Sequence, residues 1–226
     1  MKISASSNSS VNVTASVRSN FATQHLRAAT RAARNTFEIE QANATADHGS
    51  WFDDMMLWVP VSVVMAAAAL EANANELIQD ILDGIVSFPL AKGSKLALNN
   101  LKNENSGNTC EKYRNLALLF GRKPEMGTAA WQDANLLVKF RNALMHFKPA
   151  WDHDEAIHNG GLVKGLKTRI PVYRAYKSGF LFPYGFMTYG CAKWSVATVL
   201  AFSDSFSMLM GVNDRFASPH LDYTLH

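Results

Sequence analysis

The sequence predicts an all-α protein, an antiparallel helical bundle with one long insertion before its last helix. Three observations predict it. Apolar residues recur at three- and four-residue spacing through most of the chain, the period of one helix face. Glycines and a proline fall where those periodic segments stop. The chain shows neither internal repeats nor an alternation of strand and helix patterns.

Residues 1–16 are rich in Ser, Asn and Thr and are expected to form a disordered N-terminus. Residues 17–52 read as an N-terminal helical extension. In it Ala22, Leu26, Ala29, Ala33 and Phe37 form an apolar stripe. Arg27, Arg31 and Arg34 form a basic row beside it, either a solvated face or a contact to RNA or an acidic partner.

Residues 53–213 form the bundle, and 214–226 a C-terminal tail. "DHGSWFDD" breaks the helical pattern before a second helix, with Pro60 near its first turn. Val63, Ala67, Leu70, Ala74, Leu77, Ile81 and Ile85 mark its buried stripe, and Gly84 its stop. The run "MMLWVPVSVVMAAAAL" is shorter than the ~20 residues of a bilayer span and contains Pro60 and Ser62, so it reads as a core helix rather than a membrane segment. A third helix covers 95–102. A fourth runs from Thr109 as N-cap to Gly121 as C-cap. A fifth spans about Thr128 to Phe147, with Lys148 marking its end because Pro149 follows. The insertion, 149–186, mixes aromatic and β-branched residues with a Ser178-Gly179 turn and is expected as a long loop or β-hairpin. The last helix extends to about Met210.

The net charge of +3 gives no bulk argument for nucleic acid. Its distribution says more. No acid stands between Glu155 and Asp204, while Lys164, Lys167, Arg169, Arg174, Lys177 and Lys193 do. Two cysteines and no export signal point to a reduced, cytoplasmic protein without a membrane partner.

The fifth helix carries "FRNALMHFKP". At about 100° per residue, Leu136, Leu137, Leu144 and Phe147 cluster around Phe140 as a core stripe, with Arg141 and His146 on either flank. Between those flanks lie Val138, Asn142 and Met145, a partly apolar face with no obvious reason to be so if it meets only water. A second copy packed there would bring Arg141 and His146 of both chains into one cleft. Arginine grips phosphate through its planar fork, and histidine moves protons near neutrality. A capping histidine and a surface arginine would give the same spacing.

"RNALMH" resembles the Arg-polar-x3-His signature of HEPN domains. "AALEANANELI", "EKYRNLALLFG" and "AKWSVATVLAFSDSF" resemble, in order, the helices that surround that signature, so the likeness runs over about 61–211. The resemblance implies a dimeric, metal-independent endoribonuclease of toxin–antitoxin or phage-defence type, with no cofactor. It implies that Arg141 holds the scissile phosphate and that His146 acts as acid or base. Asn142 would orient His146 or touch phosphate. Attack by the RNA 2′-OH would leave a 2′,3′-cyclic phosphate. An antitoxin or regulatory partner is a further implication. The same family also contains inactive binding modules, so a non-catalytic dimer holding a nucleotide, RNA or partner protein is the alternative.

Glu71 and Asn75 stand one turn apart on the second helix and either support Arg141 or His146 or form an ordinary buried pair. Lys167, Arg169, Arg174 and Lys177, with the aromatics of the insertion, either guide single-stranded RNA or pack the insertion on the bundle. "WDHDEAIH" lacks a recognised ligand spacing and reads as a solvated acidic loop rather than a metal site.

Overall fold

The structure, a computed structural model, describes residues 18–90, 93–103, 109–151, 153–173, 182–218 and 220–225. The expected disordered N-terminus, 1–16, lies outside them. The described residues form α1 (Ala22–Ala42), α2 (Trp51–Leu82), α3 (Ser94–Asn103), α4 (Thr109–Leu119), α5 (Ala129–Met145), α6 (Glu155–His158), α7 (Gly161–Lys167) and α8 (Tyr189–Met210). They contain no strand, so the all-α class is the class observed.

α2 is the axis of the bundle and touches α1, α3, α4, α5 and α8. It buries Val59, Val63, Ala66, Ala67, Leu70, Ala74 and Ile78. α1 answers with Leu26, Ala29 and Ala33, and α8 with Ala192, Val196 and Val199. Small residues let the three helices approach closely. At the seam the buried Ser62 hydroxyl donates to Ala29 O (3.0 Å) and lies 3.2 Å from the Ser195 hydroxyl, which donates to Ala192 O (2.8 Å). A buried hydroxyl without such partners would be costly. α2 is also long and apolar enough, by length and composition, to cross a membrane. Here it carries buried Ser62, Asn73 and Asp80, each bonded to another element.

Two expectations about α2 are corrected. It begins at Trp51, so "WFDD" opens the helix, and Pro60 lies well inside it. Asp53 and Asp54 favour that start because carboxylates stabilise the positive end of a helix. Ile85 lies past the stop and is 69% exposed. The stop is made by Gly84 at φ 74°, with Ile85 N–H donating to Asp80 O. Gly121 ends α4 the same way, with Arg122 N–H donating to Ala117 O (2.9 Å).

The described part of the insertion is more than a long loop. It holds α6, α7 and a 3-10 turn at Tyr184–Phe186; the Ser178-Gly179 turn lies outside the described residues. α7 packs on α5 so closely that a Cβ at Gly165 would stand 3.0 Å from Leu136 Cδ1. Arg169 pins the end of α7 to Asp133 of α5 at 2.5 Å.

That packing explains a second correction, to the α5 wheel. α5 buries Trp131, Ala134, Leu137, Val138 and Phe140, so its bundle face is centred near Arg141 rather than Phe140. The stripe of Leu136, Phe140, Leu144 and Phe147 is a second apolar face, turned toward the insertion. Phe140 lies 6.1 Å from Phe182 and 6.2 Å from Phe186, and Phe147 lies 6.5 Å from Phe182. Val138 is 3% exposed and therefore belongs to the core, not to an outer face. Met145 is exposed, as expected.

Candidate functional site

α2 and α5 bring the expected residues together only in part. Arg141 rises from the bundle face of α5, and its Nη2 donates to Glu71 Oε2 of α2 at 3.1 Å. Its Nε is buried and has no acceptor among the described residues. Asn75, one turn beyond Glu71, accepts a hydrogen bond from Lys112 Nζ of α4 (2.9 Å). Glu71 and Asn75 thus serve different cations and are not an isolated pair. Glu71 itself is half exposed.

His146 is not in the last helical turn. α5 ends at Met145, and His146 caps it with φ −110° and ψ 37°, its N–H donating to Asn142 O. Its imidazole is exposed and makes no hydrogen bond or ion pair among the described residues. Five residues of helix rotate by about 500°, so His146 leaves α5 about 140° away from Arg141. Asn142 is exposed between them, and Met145 continues the row of Arg141 one turn on. Within one chain the guanidinium and imidazole do not face each other.

His146 instead lines a cavity of about 310 Å³ between the end of α5 and the turn from α6 to α7. Ala143, Phe147, Lys148, Ile157, Gly161 and Phe182 share the lining. Buried His158 fixes one wall: one ring nitrogen is 3.0 Å from Trp151 O, and the other accepts from Phe182 N–H (3.4 Å). This removes His158 from "WDHDEAIH" as a free ligand. Asp152 of that segment lies outside the described residues.

Of the basic residues expected in the insertion, Lys167 and Arg169 are among the described ones. Lys167 is exposed at the end of α7. Arg169 is paired with Asp133, a contact that serves the packing of the insertion on α5. Arg174 and Lys177 lie outside the described residues. On α1, Arg34 holds the tail through Asp222 (2.6 Å) and Thr224 O. Asp222 is held down to about 2 by its hydrogen bonds from Thr224 N–H and Arg34. Burial pushes the Cys110 thiol up to about 12 and moves Cys191 in the same direction, so neither is a ready nucleophile.

A polar network at the far end of α2 is more extensive than the sequence suggested. Asp83 pairs with Arg18, Arg18 with Asp80, Asp80 with Arg215 (2.5 Å), and Arg215 with Glu76 (3.3 Å). Glu76 Oε1 then accepts the N–H groups of Phe21 and Ala22 at the start of α1 (2.6 and 2.9 Å). The charges alternate acid, base, acid, base, acid, and the remaining negative charge meets the positive end of α1. Asn73, Glu76, Asp80 and Asp83 recur at helical spacing, a signal present in the sequence. Their partners, Arg18 and Arg215, are remote and could not be chosen from spacing. The network borders a cavity of about 660 Å³, lined also by Phe88, Arg122, Phe206 and Met210. That cavity takes in none of the "RNALMH" residues. Its ions pair with one another, although Glu76 Oε2 is left without a hydrogen bond, and its size alone does not make it the reactive site.

Comparison with family models, with curated proteins and with solved structures finds no match.

Proposed function

We propose that the chain is a metal-independent endoribonuclease of HEPN type, working as a homodimer. The observation that carries the reading is the reach of Glu71 from α2 to Arg141 on α5, with the His146 imidazole exposed and unengaged beyond the helix end. A purely structural arginine would satisfy its buried donors, yet Arg141 Nε has no partner. An RNA phosphate exchanging for Glu71 would let the guanidinium turn and use that donor. Arg141 then binds the scissile phosphate and stabilises the charge gathering on it. His146 of one copy transfers the proton in attack by the 2′-OH or in departure of the 5′-oxygen. Asn142, exposed between them, contacts phosphate or orients the imidazole. The products are a 2′,3′-cyclic phosphate and a 5′-hydroxyl, and DNA, lacking the 2′-OH, survives.

Support for a second copy rests on the outer face of α2. Leu57 is 55% exposed, and Val61, Val64 and Ala68 are partly exposed; the four follow alternating four- and three-residue spacing and lead to Glu71. This is the spacing of a helix seam, and Met145 is exposed one turn beyond Arg141.

The test is cleavage of several RNAs with EDTA present, by wild type, Arg141→Ala and His146→Ala. The expected result is cleavage by wild type and a loss of at least about 10²-fold in each variant, the usual scale for a proton-transfer or charge-stabilising group. Growth arrest on expression, relieved by His146→Ala, would support a toxin or phage-defence role. The angular separation of Arg141 and His146 in one chain favours a second reading, a dimer that binds RNA, a nucleotide or a partner without turnover. Absence of cleavage with retained RNA binding selects that reading.

A further inference from the structure

We propose that the 310 Å³ cavity beside His146 receives an unstacked nucleobase of single-stranded RNA, next to the phosphate bound at the α5 end. The inference rests on the RNA reading above and gives the insertion a task within it. The cavity has the composition such a ligand requires. Phe147 and Phe182 supply aromatic surface, their ring centres 6.5 Å apart and inclined at 32°. Ile157 and Leu162 close the apolar side. His146 and Lys148 stand on the lining and supply hydrogen-bond donors and positive charge for an adjoining phosphate. Asp154 and Glu155, at the start of α6, do not line it. Bases stack on aromatic side chains without regard to sequence, while the backbone follows cationic groups.

The walls are built rather than incidental. His158 ties Trp151 to Phe182, and Arg169 with Gly165 seats α7 on α5. A Cβ added at Gly160 would strike Ala156 O at 2.5 Å, so the turn between α6 and α7 is closed. Gly161, which lines the cavity, is different: a Cβ there meets nothing within 4 Å. A side chain at 161 therefore starts in open space at the rim of the cavity and displaces none of its walls.

The experiment uses the full chain and a fluorescent, uncleavable 2′-O-methyl oligonucleotide. Affinity is measured by anisotropy for wild type, Gly161→Leu and Phe147→Ala, with thermal melting as the check on folding. The expected result is binding weakened roughly five- to one-hundred-fold in both variants, the range of one lost base stack. A series with one abasic position moved along the strand should contain one placement that weakens wild type and leaves Gly161→Leu unchanged. Binding by folded Gly161→Leu and Phe147→Ala equal to wild type overturns the base pocket, whatever the cleavage assay shows. Loss of binding in these variants, with no cleavage by wild type, upholds the pocket and removes the nuclease instead.

Discussion

Single side chains decide more here than their exposure suggests. Tyr113 of α4 is wholly buried; its hydroxyl donates to Leu70 O (2.8 Å) and accepts from Asn73 Nδ2 (3.1 Å). Tyr113→Phe leaves a buried amide and a buried carbonyl each short of a partner. It should cost about 1–3 kcal/mol, a melting temperature lower by several degrees in a chain of this size. An unchanged melting temperature would mean that water replaces the hydroxyl. At the same scale, Arg141 shows what sequence reading can and cannot supply. The motif "RNALMH" was readable in the sequence, and support of Arg141 by Glu71 was one of the two readings it left open for that carboxylate. The side of α5 on which Arg141 lies was not, because that helix has two apolar faces. Val138 and Phe140 cannot be ranked as inner or outer until it is known that the insertion covers one of the faces.

The helices themselves were legible wherever one face was apolar and the ends carried a stop. α8, α3 and the Gly121 end of α4 fall within a residue or two of their expected limits. α6 and α7 were missed because four and seven residues are too few to display a period. Their docking depends on Arg169 and Asp133, partners on separate elements. A partly exposed ion pair of this kind contributes about 0–1 kcal/mol to the whole fold. Arg169→Ala should therefore leave the global melting temperature almost unchanged. It should speed limited proteolysis within 149–186, because local opening draws only on local contacts. Equal digestion rates for wild type and Arg169→Ala would show that apolar contacts, such as Leu136 on Gly165, hold the insertion unaided.

At the scale of the whole molecule, α1 is part of the common core, since Leu26, Ala29 and Ala33 are buried with α2 and α8. The buried thiol of Cys110 and the phenol of Tyr113 both keep their protons more firmly in the folded chain than in the unfolded one, chiefly through burial. A raised folded pKa means that stability is fully present below the unfolded value and is lost as pH climbs. The denaturant midpoint should hold steady toward pH 9 and fall between pH 9 and 12, the window set by Cys110. A flat midpoint through that range would show that these groups ionise in place. The chain of charges at the end of α2 has one more consequence. Arg18 keeps Asp83 if Asp80 is lost, and Arg215 keeps Glu76. Loss of Asp80 therefore strands neither arginine, whereas loss of Arg215 leaves the Glu76 carboxylate with only the N–H groups of Phe21 and Ala22, so the junction between the first helix and the tail tolerates damage at one link and not at the other.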